Sequence, residues 1–224
     1  MAIDYFFEAH PLRGPASKIA LKVRKKIFQV FMETMKPDEL TNILDVGVTP
    51  DRSLPESNFL EKLYPYKHRL TATSIEDASF LEQEYPGLTF IRTPEGELPF
   101  EDQHFDIVFC SAVLEHVGNR EDQQCFIREL LRVAKSFFLT TPNRGFPVEF
   151  HTFLPFIHWL PQPLHQAILR RLGLEFWAET KNLNLLTPTT IRTLFPKHID
   201  LQVRKHYLLG MPSNLMAWGN TRAT

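Results

Sequence analysis

Apolar residues near the start of the chain recur at three- and four-residue intervals: Ile19, Ala20, Val23, Ile27, Phe28, Phe31 and Met32. That spacing predicts one helix over residues 13–36 with a single apolar stripe. Its other face carries Lys18, Lys22, Arg24, Lys25 and Lys26. Such a face is ordinarily solvated while the stripe packs over a domain. Read as a basic amphipathic helix, it would instead touch a membrane or an anionic substrate.

Beyond this helix the pattern changes to short, continuous apolar runs. Residues 42–47, 69–75, 88–92, 105–110 and 136–141 read as five strands. Between them lie helical stretches: one with Phe59, Leu60 and Leu63, one over 77–84, and one over 121–133 striped by Phe126, Ile127, Leu130, Leu131 and Val133. Strands alternating with helices predict an α/β, Rossmann-like, doubly wound and mostly parallel sheet, with its ligand at the carboxyl ends of the strands. Residues 199–209 and 214–220, joined through Gly210–Ser213, predict a closing antiparallel hairpin. Between sheet and hairpin the chain turns aromatic and proline-rich, with Phe146, Phe150, Phe153, Phe156 and Trp159 among Pro147, Pro155, Pro161 and Pro163. Prolines at that density break helices into short pieces. The whole reads as one domain over 1–224: a basic amphipathic helix at 13–36, a ligand-binding core at 40–144, a helical insertion at 145–195 capping a pocket, and the hairpin at 199–220.

Composition narrows the class. The 224 residues carry 25 Lys+Arg against 26 Asp+Glu, and 43% are hydrophobic, so the chain can bury a sizeable core and shows no basic excess for nucleic acid. Cys110 and Cys125 cannot form a disulfide framework or a four-thiolate zinc site. No run of about 18 apolar residues is present for a membrane-spanning helix, and the start of the chain lacks the apolar core of a signal segment. The expectation is a reduced, cytoplasmic protein, monomeric or dimeric.

The most informative segment is Ile43-Leu-Asp-Val-Gly47. A buried strand ending in an acid and a glycine lets backbone approach a ligand at the sheet's edge. Glu76 falls at the end of the second strand, where a carboxylate can take both hydroxyls of a ribose. Farther on stand Glu95-Gly-Glu-Leu-Pro-Phe-Glu-Asp-Gln-His-Phe-Asp106, the fourth strand, and Ser111-Ala-Val-Leu-Glu-His-Val117. Over about residues 40–145 these runs resemble the class I S-adenosylmethionine-dependent methyltransferases, of the small-molecule, type 11-like kind. Thr140-Thr-Pro-Asn-Arg144, followed by Phe146-Pro-Val-Glu-Phe-His-Thr152, is similar to members of the same group.

The resemblance implies S-adenosylmethionine as cofactor and assigns residues to it. Asp45, Gly47 and Val48 fall at the first motif, near its methionine part. Glu76 matches the ribose-binding acid, and Asp77 follows it. Glu95 and Gly96 border adenine, while Cys110, Ser111 and Ala112 end the fourth strand beside the sulfonium. The acceptor would meet Glu115, Arg144 and Glu149. Two departures stand out. Where the family has a glycine-rich loop of the type D-x-G-x-G-x-G, this chain has Asp45-Val-Gly-Val-Thr-Pro-Asp-Arg-Ser53, in which only Gly47 survives. Pro94 stands where an adenine-contacting acid often precedes Glu95.

A sulfonium is already an activated methyl donor, so positioning in a desolvated pocket supplies much of the acceleration. An oxygen or nitrogen acceptor also calls for a general base, for which His116 and His151 are the candidates, with Glu115 and Glu149 as alternatives. Each has a structural alternative: His116 capping the fourth strand, and His151 tying the insertion to the core. Arg144 could meet an anionic or sugar-like acceptor, or bond carbonyls at the end of the fifth strand. No metal is expected, because the nine histidines are scattered and no pair shows ligand spacing near a cysteine or carboxylate set. Gly-x-Ser-x-Gly, Gly-x-x-x-x-Gly-Lys and Gly-x-Gly-x-x-Gly are all absent, which argues against a hydrolase elbow, a phosphate loop and a nicotinamide oxidoreductase. The expected activity is methyl transfer to an O, N or C atom of a small-molecule acceptor, sugar-containing or lipid-linked. The alternative is a non-catalytic binding or scaffold protein on a degenerate form of the fold.

Overall fold

The computed structural model describes residues 13–93 and 98–221. Helix α1 (Arg13–Met35) is followed by β1 (Ile43–Val46), α2 (Phe59–Leu63), β2 (Leu70–Ser74), α3 (Phe80–Glu84), β3 (Thr89–Arg92) and β4 (Phe105–Ser111). Then come α4 (Arg120–Val133), β5 (Ala134–Pro142), α5 (Gln162–Arg171), α6 (Glu175–Ala178), α7 (Pro188–Arg192), β6 (Gln202–Leu208) and β7 (Met211–Asn220). The strands form one sheet in the order β3-β2-β1-β4-β5-β7-β6. β1 to β5 run parallel, while β7 is antiparallel to both β5 and β6. The order reverses between β1 and β4, so the carboxyl ends of those two strands and of β2 surround the crevice where such sheets bind ligands.

Two apolar layers cover the sheet. On one face α1, α2 and α3 pack through Val23, Ile27, Phe31, Leu60 and Leu81. Phe31 is fully buried, its ring edge-on to Phe109 at 5.1 Å and to Phe138 at 5.4 Å. The buried stripe of α1 is therefore narrower than periodicity suggests, since Ile19 remains 41% exposed. On the other face α4 presents Ile127, Leu130 and Leu131. Its start is set by a capping box, in which the Asn119 side chain accepts from Glu121 N and Asp122 N and the Asp122 carboxylate accepts from Asn119 N.

Two boundaries differ from the sequence reading. The expected insertion 145–195 divides. Leu169, Trp177, Ala178 and Leu183 form a small satellite core, whereas Leu186, Ile191, Leu194 and Phe195 return to the main one. Helix α7 thus belongs to the layer over the sheet. The closing hairpin turns on Leu209–Gly210 alone, both at positive φ, and β7 already begins at Met211. Two consecutive left-handed residues give the strand-matched twist of a two-residue turn, so Pro212 is carried inside β7.

Candidate active site

At the end of β1, Gly47 N and Val48 N both donate to Thr73 O, at 2.8 and 3.1 Å, and carry the chain over the top of β2. Gly47 adopts φ +98°, and a Cβ placed there would lie 2.2 Å from Cγ2 of Val113. Glycine is required here twice over, by conformation and by close approach. The loop that departs from the glycine-rich pattern is built from side-chain turns instead. Thr49 N donates to Asn58 Oδ1 and Asn58 Nδ2 returns to Thr49 O, both at 2.9 Å. Asp51 Oδ1 accepts from Ser53 N at 2.7 Å and from Ser53 Oγ at 2.6 Å. Val48 points into the core, 5% exposed, so its side chain is a wall behind the site.

Asp45 is buried beside Glu61 of α2, which is itself completely inaccessible. Burial, and then the Glu61 carboxyl, pushes Asp45 well above the usual carboxylate range, and burial pushes Glu61 up as well. Among the described residues neither Glu61 oxygen has an ordinary donor, and the buried Asp45 carboxyl is its neighbour. Into the same region reaches Arg24 from α1. Its guanidinium donates to Ser111 Oγ and lies over the Phe59 ring at 5.1 Å. Burial pulls its pKa down against the charges of Glu115, Glu56 and Asp45. Arg24 therefore does not belong to the solvated lysine face to which spacing assigned it. Lys18, Lys22, Lys25 and Lys26 do remain exposed. The one available signal was its place between Val23 and Ile27, on the border of the stripe. Glu61 carried none, because an acid on a short helix ordinarily faces water.

Glu76 stands half-buried at the end of β2, its backbone N donating to Ser74 Oγ at 3.2 Å. Asp77 is exposed and accepts from Ser79 N at 2.9 Å, which lowers its pKa and organises the turn into α3. That is a structural use of one of its oxygens. The thiol of Cys110 lies in the core and burial raises its pKa, so only its backbone can border a ligand. Ala112 takes φ +58°, a strained conformation for a residue with a Cβ, while its N donates to Thr140 O at 2.8 Å. Glu95 and Gly96 lie outside the described residues.

Around the ends of β4 and β5 a second polar group assembles. Glu115 and His116 sit on a single 3-10 turn, Leu114–His116, while Glu149 and His151 arrive from the insertion. Glu149 Oε1 accepts from His151 N at 2.9 Å and meets His151 Nδ1 at 2.5 Å; its Oε2 accepts from Thr152 N and Oγ1, both at 2.8 Å. Burial opposes both charges, yet their mutual attraction prevails, holding Glu149 down at about 2 and His151 above its usual value. With both oxygens engaged inside the insertion, Glu149 is a brace, and the acceptor contact expected of it is replaced by a contact with His151. Burial, then the His151 charge, drives His116 down to about 3, while burial raises Glu115. Arg144 donates to the carbonyls of His158 at 2.9 Å and Leu160 at 3.0 Å. It bonds carbonyls, as its alternative reading had it, but those of the insertion rather than of β5, through Nε and Nη2. The expectation of no metal-ligand set came from spacing along the chain. Across the fold, Glu115, His116 and His151 each place a ligand-type atom within 4.8 Å of the others.

A doubly wound sheet with a reversed last strand, an acid and a tight glycine ending β1, and a carboxylate ending β2 define a nucleoside-binding α/β protein. Residues 45–137 match the family described as a methyltransferase domain. The chain is similar in structure to the YcgJ protein from Bacillus subtilis, with TM-score 0.60 and 14% identity over 89% of this chain and 100% of that one. It is also similar to a SAM-dependent methyltransferase from Methanosarcina mazei, with TM-score 0.52 and 17% identity over 84% and 95%. The N-terminal domain of EvdMO1, solved with SAH bound, gives TM-score 0.52 and 13% identity over 89% and 81%. A search of the curated proteins finds no match. The match over residues 45–137 and the likeness in fold both point to S-adenosylmethionine-dependent methyltransferases.

The residues present fit that cofactor. Gly47 brings bare backbone to the end of β1, Glu76 offers a carboxylate at the end of β2, and Arg24 supplies a positive charge beside Ser111. The close neighbour of Gly47 is one methyl of Val113, a half-buried side chain that can rotate.

Proposed function

We propose that the protein transfers the methyl group of S-adenosylmethionine to an O, N or C atom of a small-molecule acceptor held between the ends of β4 and β5 and the insertion. The observation that carries the reading is the gathering of Glu115, His116, Glu149 and His151 in one buried polar group next to the strand ends where the cofactor belongs. Bound cofactor supplies an activated methyl; the chain's task is to hold donor and acceptor in line and exclude water. Glu76 would hold the ribose, and Gly47, Asp45 and Arg24 would border the methionine end. Of the two histidines, His116 at about 3 is too weak a base for neutral pH, and His151 is already paired with Glu149.

An apolar or lipid-linked acceptor is supported by the surface of the insertion, where Phe156, Trp159, Leu164, Leu172 and Phe176 are each at least 43% exposed. Contact with an anionic membrane surface would use the exposed lysines of α1, of which Lys26 shares a groove with Arg204 and Lys205 of β6.

Calorimetric titration with S-adenosylmethionine, S-adenosylhomocysteine and NAD in parallel tests the reading. Micromolar binding of the two sulfur nucleosides, without NAD, is the expected result. Glu76→Ala should weaken it by about 1–3 kcal/mol, or roughly 5- to 150-fold, through loss of charge-assisted bonds to the ribose. Absence of binding would favour the scaffold alternative, with Val113 and the Gly47–Ser53 loop closing the crevice.

A further inference from the structure

Glu115 and His116 leave the end of β4 together, and His151 reaches them across the fold from the insertion. Nε2 of His116 lies 4.0 Å from Oε1 of Glu115. On each histidine Nδ1 has a polar partner. His116 Nδ1 is 2.7 Å from the carbonyl of Asn182, and His151 Nδ1 is 2.5 Å from Glu149 Oε1. A carbonyl only accepts, so His116 Nδ1 carries its proton and the lone pair resides on Nε2. Imidazoles oriented by a carbonyl or a carboxylate through the far nitrogen are the arrangement that metal-ligating histidines adopt.

Glu115 adds an independent sign. Its side chain is fully buried, Oε2 accepts from Thr141 Oγ1 at 2.9 Å, and Oε1 has no hydrogen-bond partner among the described residues. A buried carboxylate oxygen left without a donor is costly, and a cation removes that cost. Trp177 closes the surroundings, its ring 4.8 Å from that of His151 and 6.2 Å from that of His116.

We propose that Glu115, His116 and His151 bind a divalent transition-metal cation through one carboxylate oxygen and the two Nε2 atoms. Bonds of about 2.0–2.2 Å to such a cation set its ligands roughly 3–4 Å apart. One candidate ligand atom on each residue already lies within 4.8 Å of the others, and side-chain rotation of less than about 1 Å closes such separations. Two imidazoles and one carboxylate suit Zn²⁺, Co²⁺, Fe²⁺ or Mn²⁺ better than the all-oxygen cations Ca²⁺ and Mg²⁺. Three protein ligands leave coordination positions for an oxygen of the acceptor, which would select acceptors bearing a hydroxyl or similar oxygen group. That use rests on the methyltransferase reading; binding of the ion does not.

The test uses the full chain without a histidine tag, stripped with chelator and titrated with Zn²⁺, Mn²⁺ and Co²⁺ by calorimetry, with Co²⁺ also followed by its visible absorption. The expected result is one equivalent bound, with a Co²⁺ d–d band. Glu115→Gln, His116→Asn and His151→Asn should each weaken binding at least tenfold, and Glu149→Gln by about 10- to 100-fold through His151. Circular dichroism and a melting curve on each variant separate lost ligands from lost fold. Wild-type protein that binds no ion stoichiometrically overturns the proposal without any variant. Undiminished binding in all three folded ligand variants overturns it too, by locating the ion elsewhere. S-adenosylhomocysteine titrated into the same stripped wild-type sample reports on the cofactor separately, so failure of one reading is not mistaken for failure of the other.

Discussion

Gly47→Ala should destabilise the protein by about 2–5 kcal/mol, through two separable causes. The first is conformational: φ is +98°, and placing an L side chain in the left-handed half of backbone space costs roughly 1–2 kcal/mol. The second is packing, since the new Cβ would meet Val113 Cγ2 at 2.2 Å, and overfilling a packed site costs about 1–3 kcal/mol. For a chain of 224 residues each kcal/mol moves Tm by about 2–4 °C, so the drop should be about 4–20 °C by calorimetry or circular dichroism. A double-mutant cycle with Val113→Ala separates the causes, because that change removes the obstructing methyl and leaves the backbone untouched. The pair should be more stable than the sum of the singles by the packing component, about 1–3 kcal/mol, while the conformational penalty persists. Strict additivity would refute the contact between Gly47 and Val113. A Tm drop under 2 °C for Gly47→Ala alone would refute the strained turn as well.

Other consequences are open to measurement. Phe31→Ala should cost about 3–5 kcal/mol in chemical denaturation, because its ring fills the space between Phe109 and Phe138 under α1; a loss below 1 kcal/mol would mean the helix is not docked. Thr141→Val should cost about 1–3 kcal/mol by depriving Glu115 Oε2 of its donor, and Thr141→Ser should restore it. The raised pKa values of Asp45 and Glu61 make the folded protein bind more protons than the unfolded chain once pH passes the ordinary carboxylate range. Their contribution to stability is therefore present at low pH and falls as pH rises through the folded values. Glu61→Gln should then melt higher than wild type at pH 8 and close to it near pH 4; a difference independent of pH would refute the raised pKa values.

Periodicity alone determined most of the fold. Apolar runs five to seven residues long, separated by helical stripes, bury both faces as a parallel sheet between helix layers, and β1 to β5 lie within two residues of the runs that foretold them. Asp45, Gly47 and Glu76 were legible for the same reason, because the end of a strand fixes where the residue after it stands. What sequence spacing could not decide is which polar side chains turn inward. Arg24 shares a helix face with exposed lysines, yet faces Ser111 and Phe59 because the end of β4 lies beneath it. Arg144 and Glu149 looked available to an acceptor, but carbonyls and amides of the insertion take their bonds. Glu115, His116 and His151 show no ligand spacing along the chain, and they meet because the insertion folds back over the ends of β4 and β5. Local pattern sets an element's existence and its apolar face, through contacts a few residues apart. The company of a buried polar group is set by contacts tens of residues apart, and only the packed tertiary structure makes those.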